Sequence, residues 1–210
     1  MSGITSSTAL WYASRATGIV SLVQLTVVVA LGVGLQRQAR LPGLPRFGVV
    51  ALHRSMSLMA LVFLAIHVGT AIADPYVNIR LVDSVLPFLS SYEPMWLGLG
   101  TVAGDLIIAL IVTSLVRVRL GHRVWRWVHW LAYAAWPVAL AHGIGSSPDM
   151  QSGWLLGLAV ACIGVVMAAV IWRLVGRARS VPRSERVGVL LAEVRQEPGR
   201  LVSSAHAGDR

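Results

Sequence analysis

Residues 52–68 read LHRSMSLMALVFLAIHV, an apolar run with His53 beside Arg54 at one end and His67 at the other. Nothing between Arg54 and His67 ionises, and the run continues without charge to residue 73. A helix that crosses a hydrocarbon core needs about 20 such residues. At 1.5 Å rise per residue the two histidines stand about 21 Å apart along the axis, which fits inside a core of about 30 Å. At 100° per residue they differ by about 40°, so both sit on one face of the helix.

Outward from this stretch the pattern repeats. Windows at about 11–35, 95–116, 125–145 and 154–174 are likewise long and apolar, which predicts five spans. Charged residues make up 13% of the 210 and mean hydropathy is +0.70, whereas a soluble domain carries about 25% charged residues. The runs do not alternate as barrel strands would, and in lipid only helices and closed barrels satisfy the backbone. The sequence therefore predicts an all-α membrane protein, a bundle of about five transmembrane helices in the lipid bilayer. Residues 1–10 read as an N-terminal segment, 11–175 as the membrane domain and 176–210 as a polar tail without fixed structure.

The net charge of +9 does not point to nucleic acid, because the cations, all of them Arg, cluster beyond helix ends. Short Arg-rich loops stay in the cytoplasm. Arg37, Arg40 and Arg46 follow the first run; Arg117, Arg119, Arg123 and Arg126 follow the third; Arg173, Arg177 and Arg179 follow the fifth. The opposite loops carry Asp74, Asp83, Glu93 and Asp149 against Arg80. That predicts an N-out, C-in multi-pass protein of the cytoplasmic membrane. Trp11, Trp96 and Trp154 at outer ends, and Trp125, Trp127, Trp130 and Trp172 near inner ends, suit interfacial belts. The outer loop 74–94, with an apolar stretch from Val82 to Leu89, reads as a short interfacial or re-entrant piece. Cys162 is the lone cysteine, which excludes an internal disulfide and covalent haem attachment through C-x-x-C-H. The first run lacks a basic leader and a small-residue cleavage site, so it reads as a retained helix.

A second pair of intramembrane histidines lies in residues 120–143, LGHRVWRWVHWLAYAAWPVALAHG. Ionisable groups at such depth are costly and usually functional. The second and fourth runs point the same way, so His53 and His129 share the inner depth and His67 and His142 the outer. His129 and His142 differ by roughly 220° on an ideal helix, so they meet the other pair only if Pro137 bends the chain. Two imidazoles from facing helices fill both axial positions of a haem iron. No site for oxygen is then left, and the chemistry becomes electron transfer. The reading is two stacked haem b sites, with Arg54 and Arg126 as inner propionate partners and Arg15 as the outer one. Arg54 and Arg126 also suit ordinary positive-inside residues. Single histidines in membrane helices are often plain polar contacts, and a non-redox transporter or assembly factor with metal- or proton-binding histidines is the alternative reading. His122 and His206 read as solvated. Asp105, taken as buried in the third run, and Gln24 read as helix-to-helix contacts or, for Asp105, a proton relay.

With WYASRATG at 11–18, these two histidine stretches resemble the ferric reductase-like transmembrane domain family, across about residues 11–175. That family includes the haem cores of NADPH oxidases and ferric-chelate reductases and the haem subunit of periplasmic methionine sulfoxide reductase. The resemblance implies that His53, His67, His129 and His142 ligate two b haems and that electrons run outward. Many members have six helices, and here five are expected. Many also carry fused flavin and nicotinamide domains, whereas about 35 polar residues follow the last run here. The resemblance thus implies an oxidoreductase component without its own flavin or NAD(P)H domain. Its donor is expected to be a separate flavoprotein, reductase or quinol, with flavin only on that partner, and its acceptor to be extracytoplasmic.

Overall fold

A computed structural model describes residues 2–36 and 45–178. The calls on residues 37–44 and on the tail beyond Ala178 lie outside the described residues. Helix α1 (Ser2–Gln36) begins at Ser2, and its candidate membrane span is Thr8–Gln36. Helices α2 (Arg46–Ala73), α3 (Pro94–Leu115) and α7 (Gly153–Ala178) follow the second, third and fifth runs. Together with α1 they make 4 helices long and apolar enough to cross a membrane among the described residues. The described residues include no strand. The protein is a helical, multi-pass membrane protein.

The expected fourth span is corrected. Residues 122–145 form two shorter helices, α5 (His122–His129) and α6 (Ala132–Gly145), after a single turn α4 (Arg117–Leu120). Gly121 makes the corner between α4 and α5 at φ +77°, a left-handed conformation open to glycine without strain. The interruption at Trp130 and Leu131 lies just ahead of Pro137, which has no N–H to give the Tyr133 carbonyl and whose ring crowds it. There the backbone tightens to i→i−3 bonds, Leu131 to Val128, Tyr133 to Trp130 and Ala134 to Leu131 at 2.9, 3.1 and 2.9 Å.

α1 packs along α2, and α3 along α6, with α1 also touching α6. Leu22 of α1, Trp136 and Leu140 of α6, and Leu155, Ala159, Cys162 and Val166 of α7 form the main core. Trp136 donates its indole N–H to Thr26 Oγ1 at 2.9 Å, the partner that a buried indole requires. A smaller core joins Ile107 and Leu110 of α3 to Ala135 of α6. The outer surface of α2 exposes Val50, Leu58, Met59, Val62 and Ile66, a lipid-facing stripe on a membrane helix. Contacts divide the chain into Met1–Val170 and a unit starting at Ile171, whose described part is the end of α7.

The 74–94 loop folds on itself around a short 3₁₀ turn, Leu81–Ser84. Arg80 grips Asp83 through its backbone N–H and its guanidinium at 3.0, 3.2 and 2.8 Å. Thr101 of α3 donates to the Asp83 carbonyl at 2.8 Å and so ties the turn to the bundle. Leu81, Val85, Leu86, Phe88 and Leu89 remain exposed.

Candidate functional site

The four span histidines come together as two pairs across α2 and the α5–α6 segment. The rings of His53 and His129 have centroids 6.4 Å apart with planes inclined by 65°. Those of His67 and His142 are 6.2 Å apart at 72°. The tight turns at Leu131–Ala134 explain how His142 reaches its place. Each 3₁₀ residue advances about 120° instead of 100°, so three of them move the ideal 220° offset to about 280°, or about 80° measured the other way.

The separation has a chemical meaning. A metal–imidazole bond is about 2 Å, and a five-membered ring with bonds of about 1.33 Å has its centre about 1.1 Å from each atom. Two imidazoles on opposite sides of one metal ion therefore have ring centres about 6 Å apart, as both pairs do. Among the described residues no three His, Cys, Asp or Glu side chains gather as an all-protein metal site would require. Each pair could supply two imidazoles to one metal ion, one from α2 and one from the α5–α6 segment.

Each histidine at the carboxylate-bearing end of the bundle sits in a socket that a sequence reading passes over. His67 Nδ1 lies 2.7 Å from the Ser14 carbonyl, and a Cβ added at Gly18 would come within 3.0 Å of its ring. His142 Nδ1 lies 2.8 Å from the Trp96 carbonyl, and a Cβ at Gly100 would come within 2.7 Å of its ring. Both sockets are one device, a carbonyl at position i and a glycine at i+4. The missing side chain leaves the carbonyl open to a further donor besides its own helix bond. Trp96 also lies over Gly145, where a Cβ would meet its ring at 2.0 Å, so α3 and α6 lock together beside His142.

At the arginine-rich end the device is looser. Gly32 faces His53 with 3.4 Å to an added Cβ. The Val28 carbonyl, four residues ahead of Gly32, faces His53 Nδ1 outside ordinary hydrogen-bond geometry. His129 Nδ1 is buried with no protein partner at all. Its ring instead stacks on Trp125 at 4.9 Å and 26°, and Trp125 is held by its own bond to Ser114 Oγ at 3.2 Å. Ser21 Oγ and Gln24 Oε1 of α1 are likewise buried without partners.

The arginines divide. Arg54 and Arg126 are exposed at the His53–His129 end, and Arg126 bonds the exposed His122 at 3.1 Å. Arg15 is engaged elsewhere, with Asp149 at 2.9 Å, Ser147 Oγ, and the face of Trp11 at 4.4 Å. It thus links α1, which supports His67, to the loop that follows His142. Asp105 is not buried as expected; its side chain lies on the exposed surface of α3, about 140° round the helix from Gly100. His206 lies outside the described residues.

The family model described as "Ferric reductase like transmembrane component" matches residues 17–140. No curated protein and no solved structure matches the chain.

Proposed function

Because this chain belongs to the ferric reductase-like transmembrane family, we propose that it carries electrons across the cytoplasmic membrane through two bis-histidine b haems. The observation that carries this reading is the pair of ring separations, 6.4 and 6.2 Å, at two depths about 21 Å apart on one helix. His53 and His129 would hold one haem, and His67 and His142 the other. A bound low-spin haem supplies a one-electron couple with no open coordination position. The residues of this chain hold the four imidazoles in place. Gly18, Gly32 and Gly100 let the rings approach, and the Ser14 and Trp96 carbonyls fix which nitrogen of His67 and His142 keeps its proton.

The arginine-rich loops support an inward placement of the His53–His129 level. Electrons would enter there from a separate flavoprotein, reductase or quinol and leave near His67 and His142 to an extracytoplasmic acceptor. Exposed Arg54 and Arg126 suit the inner haem's propionates. Arg15 serves the outer level by bracing it, since Asp149 already occupies its guanidinium.

Vesicles reconstituted with the purified protein and loaded with ferricyanide test the proposal. External dithionite should bleach the trapped ferricyanide faster than in protein-free vesicles, and His53→Ala or His67→Ala should remove the difference. Bleaching that is unchanged by either substitution would reject it.

A further inference from the structure

We infer that α3 pairs with α3 of a second copy of this chain, about a two-fold axis that brings the Asp105 carboxyls of the two copies together. The inference is independent of the haem reading. Asp105 stands near the middle of α3, eleven residues after Pro94 and ten before Leu115, or about 16 and 15 Å along the axis. Its side chain is exposed, and among the described residues none hydrogen-bonds or ion-pairs with it. From mid-bilayer so short a side chain reaches no water. Ionisable groups on the lipid side are rare for that reason, since hydrocarbon leaves them unsatisfied. A further helix is needed to cover this one.

The surface around Asp105 is shaped for a helix. Between Leu97 and Leu115 the exposed positions of α3 are Asp105, Ile108, Val112 and Leu115. Steps of three, four and three residues keep them within about 80° of one another, the seam along which two helices cross at a small angle. Gly104 borders the same stripe, and a Cβ added there meets nothing within 4 Å. A facing backbone can approach closely at that point. The apolar part of the stripe does not select protein over lipid, because lipid tails are as apolar as leucine. The carboxyl does.

Depth identifies the occupant as a second copy. Gly100 faces His142, and Ser114 binds the Trp125 that stacks on His129, so Asp105 lies between the two histidine levels. Arg54 and Arg126 sit beside the level of His53 and His129, and Arg15 is held by Asp149 at the other end. At the depth of Asp105 the described spans therefore present no cation to a neighbour. Copies inserted in one orientation hold Asp105 at one depth, so a two-fold axis, the commonest symmetry of oligomers, sets carboxyl against carboxyl. A carboxyl that carries its proton donates O–H to an oxygen of the facing carboxyl. Each copy thus supplies the partner that the other lacks.

Full-length chain in lipid vesicles, labelled at the N-terminus with a fluorescent donor or acceptor, tests this. Energy transfer between native copies should fall as lipid is added. Asp105→Leu should need about 5- to 30-fold more protein per lipid for the same transfer, the share of one hydrogen bond between helices. Asp105→Asn, whose amide both donates and accepts, should stay close to native. Copper-phenanthroline oxidation reads the face, and it keeps Asp105 should the leucine variant fail to fold. With the lone cysteine removed by Cys162→Ala, Ile108→Cys or Val112→Cys should cross-link into a dimer, and Val62→Cys on the exposed side of α2 should not. A native chain that stays monomeric across the whole range would overturn the inference. Equal pairing by Asp105→Leu, or cross-linking through Val62→Cys alone, would do so too. Transfer only to an added polyleucine helix with a lysine at its midpoint would overturn the second copy as occupant and assign the carboxyl to a different subunit.

Discussion

His67 Nδ1 sits 2.7 Å from the carbonyl oxygen of Ser14, a carbonyl that already belongs to the α1 helix. The carbonyl, which also accepts from Thr17 Oγ1 at 3.1 Å, takes this further partner because Gly18, four residues on, has no side chain to cover it. Trp96 and Gly100 repeat the arrangement for His142.

Alanine in these sockets should reverse the usual sign of a glycine substitution. In a plain helix interior Gly→Ala stabilises by roughly 0.5–1 kcal/mol. Here the new methyl meets an imidazole at 2.7 Å for Gly100, 3.0 Å for Gly18 and 3.4 Å for Gly32. Haem retained per chain after purification should fall in that order, steeply for Gly100→Ala and least for Gly32→Ala. Equal retention in all three would mean that the glycines do not seat the rings.

Arg15 should act on the outer level without touching it. Its ion pair with half-exposed Asp149 contributes only about 0–1 kcal/mol to stability. Arg15→Ala or Asp149→Asn should therefore leave folding nearly intact and broaden only one of two low-spin ferric signals in electron paramagnetic resonance. The ring planes of the two pairs are inclined by 65° and 72°, so a tilt at one level alone should register in one signal only. Broadening of both signals would point to a general loosening of the bundle.

Thr26→Val should cost about 1–3 kcal/mol by stranding the Trp136 indole N–H in the core. Trp136→Phe on the Thr26→Val background should recover part of that loss, since no donor is then left unpaired. Thermal unfolding in detergent, followed by tryptophan fluorescence, reads both. A Thr26→Val protein as stable as the native one would show that this bond is dispensable.

Acid should loosen the outer loop. The hydrogen bonds from Arg80 hold the Asp83 carboxyl below its ordinary range. A carboxyl depressed in the folded state stabilises fully above its unfolded pKa and loses that contribution as pH falls through the folded value. Protection from hydrogen exchange at residues 80–86, taken relative to the intrinsic rate at each pH, should therefore fall only at pH below about 3.9, the unfolded value. Asp83→Asn should show the lowered protection already at neutral pH. A native loop whose protection ignores acid would contradict the role of this pair.

Much of this was legible from residues alone. Long apolar runs located α1, α2, α3 and α7, because hydrocarbon demands length and little else. The spacing of His53 and His67 gave their shared face, because α2 is a regular helix. The α5–α6 break was legible only as Pro137. The break itself falls at Trp130 and Leu131, where the backbone takes i→i−3 bonds, well ahead of Pro137. The sockets were not legible at all. Gly18, Gly32 and Gly100 are three of 20 glycines, and only the pairing of helices shows which of them face a ring. Their spacing held a signal, since Gly18 and Gly32 are separated by the same interval as His53 and His67. The ion pair of Arg15 was not legible for a related reason, because Asp149 comes beside it only once the loop after α6 folds back.

We propose that this chain holds two haems, each between one imidazole from α2 and one from the α5–α6 segment. The most direct measurement is the haem content of the purified chain by pyridine haemochrome, together with the dithionite-reduced spectrum. Two b haems per chain with a sharp low-spin α band are expected, falling to one in His67→Ala. A chain that takes up no haem, or a single haem that survives His67→Ala and His53→Ala alike, would contradict it.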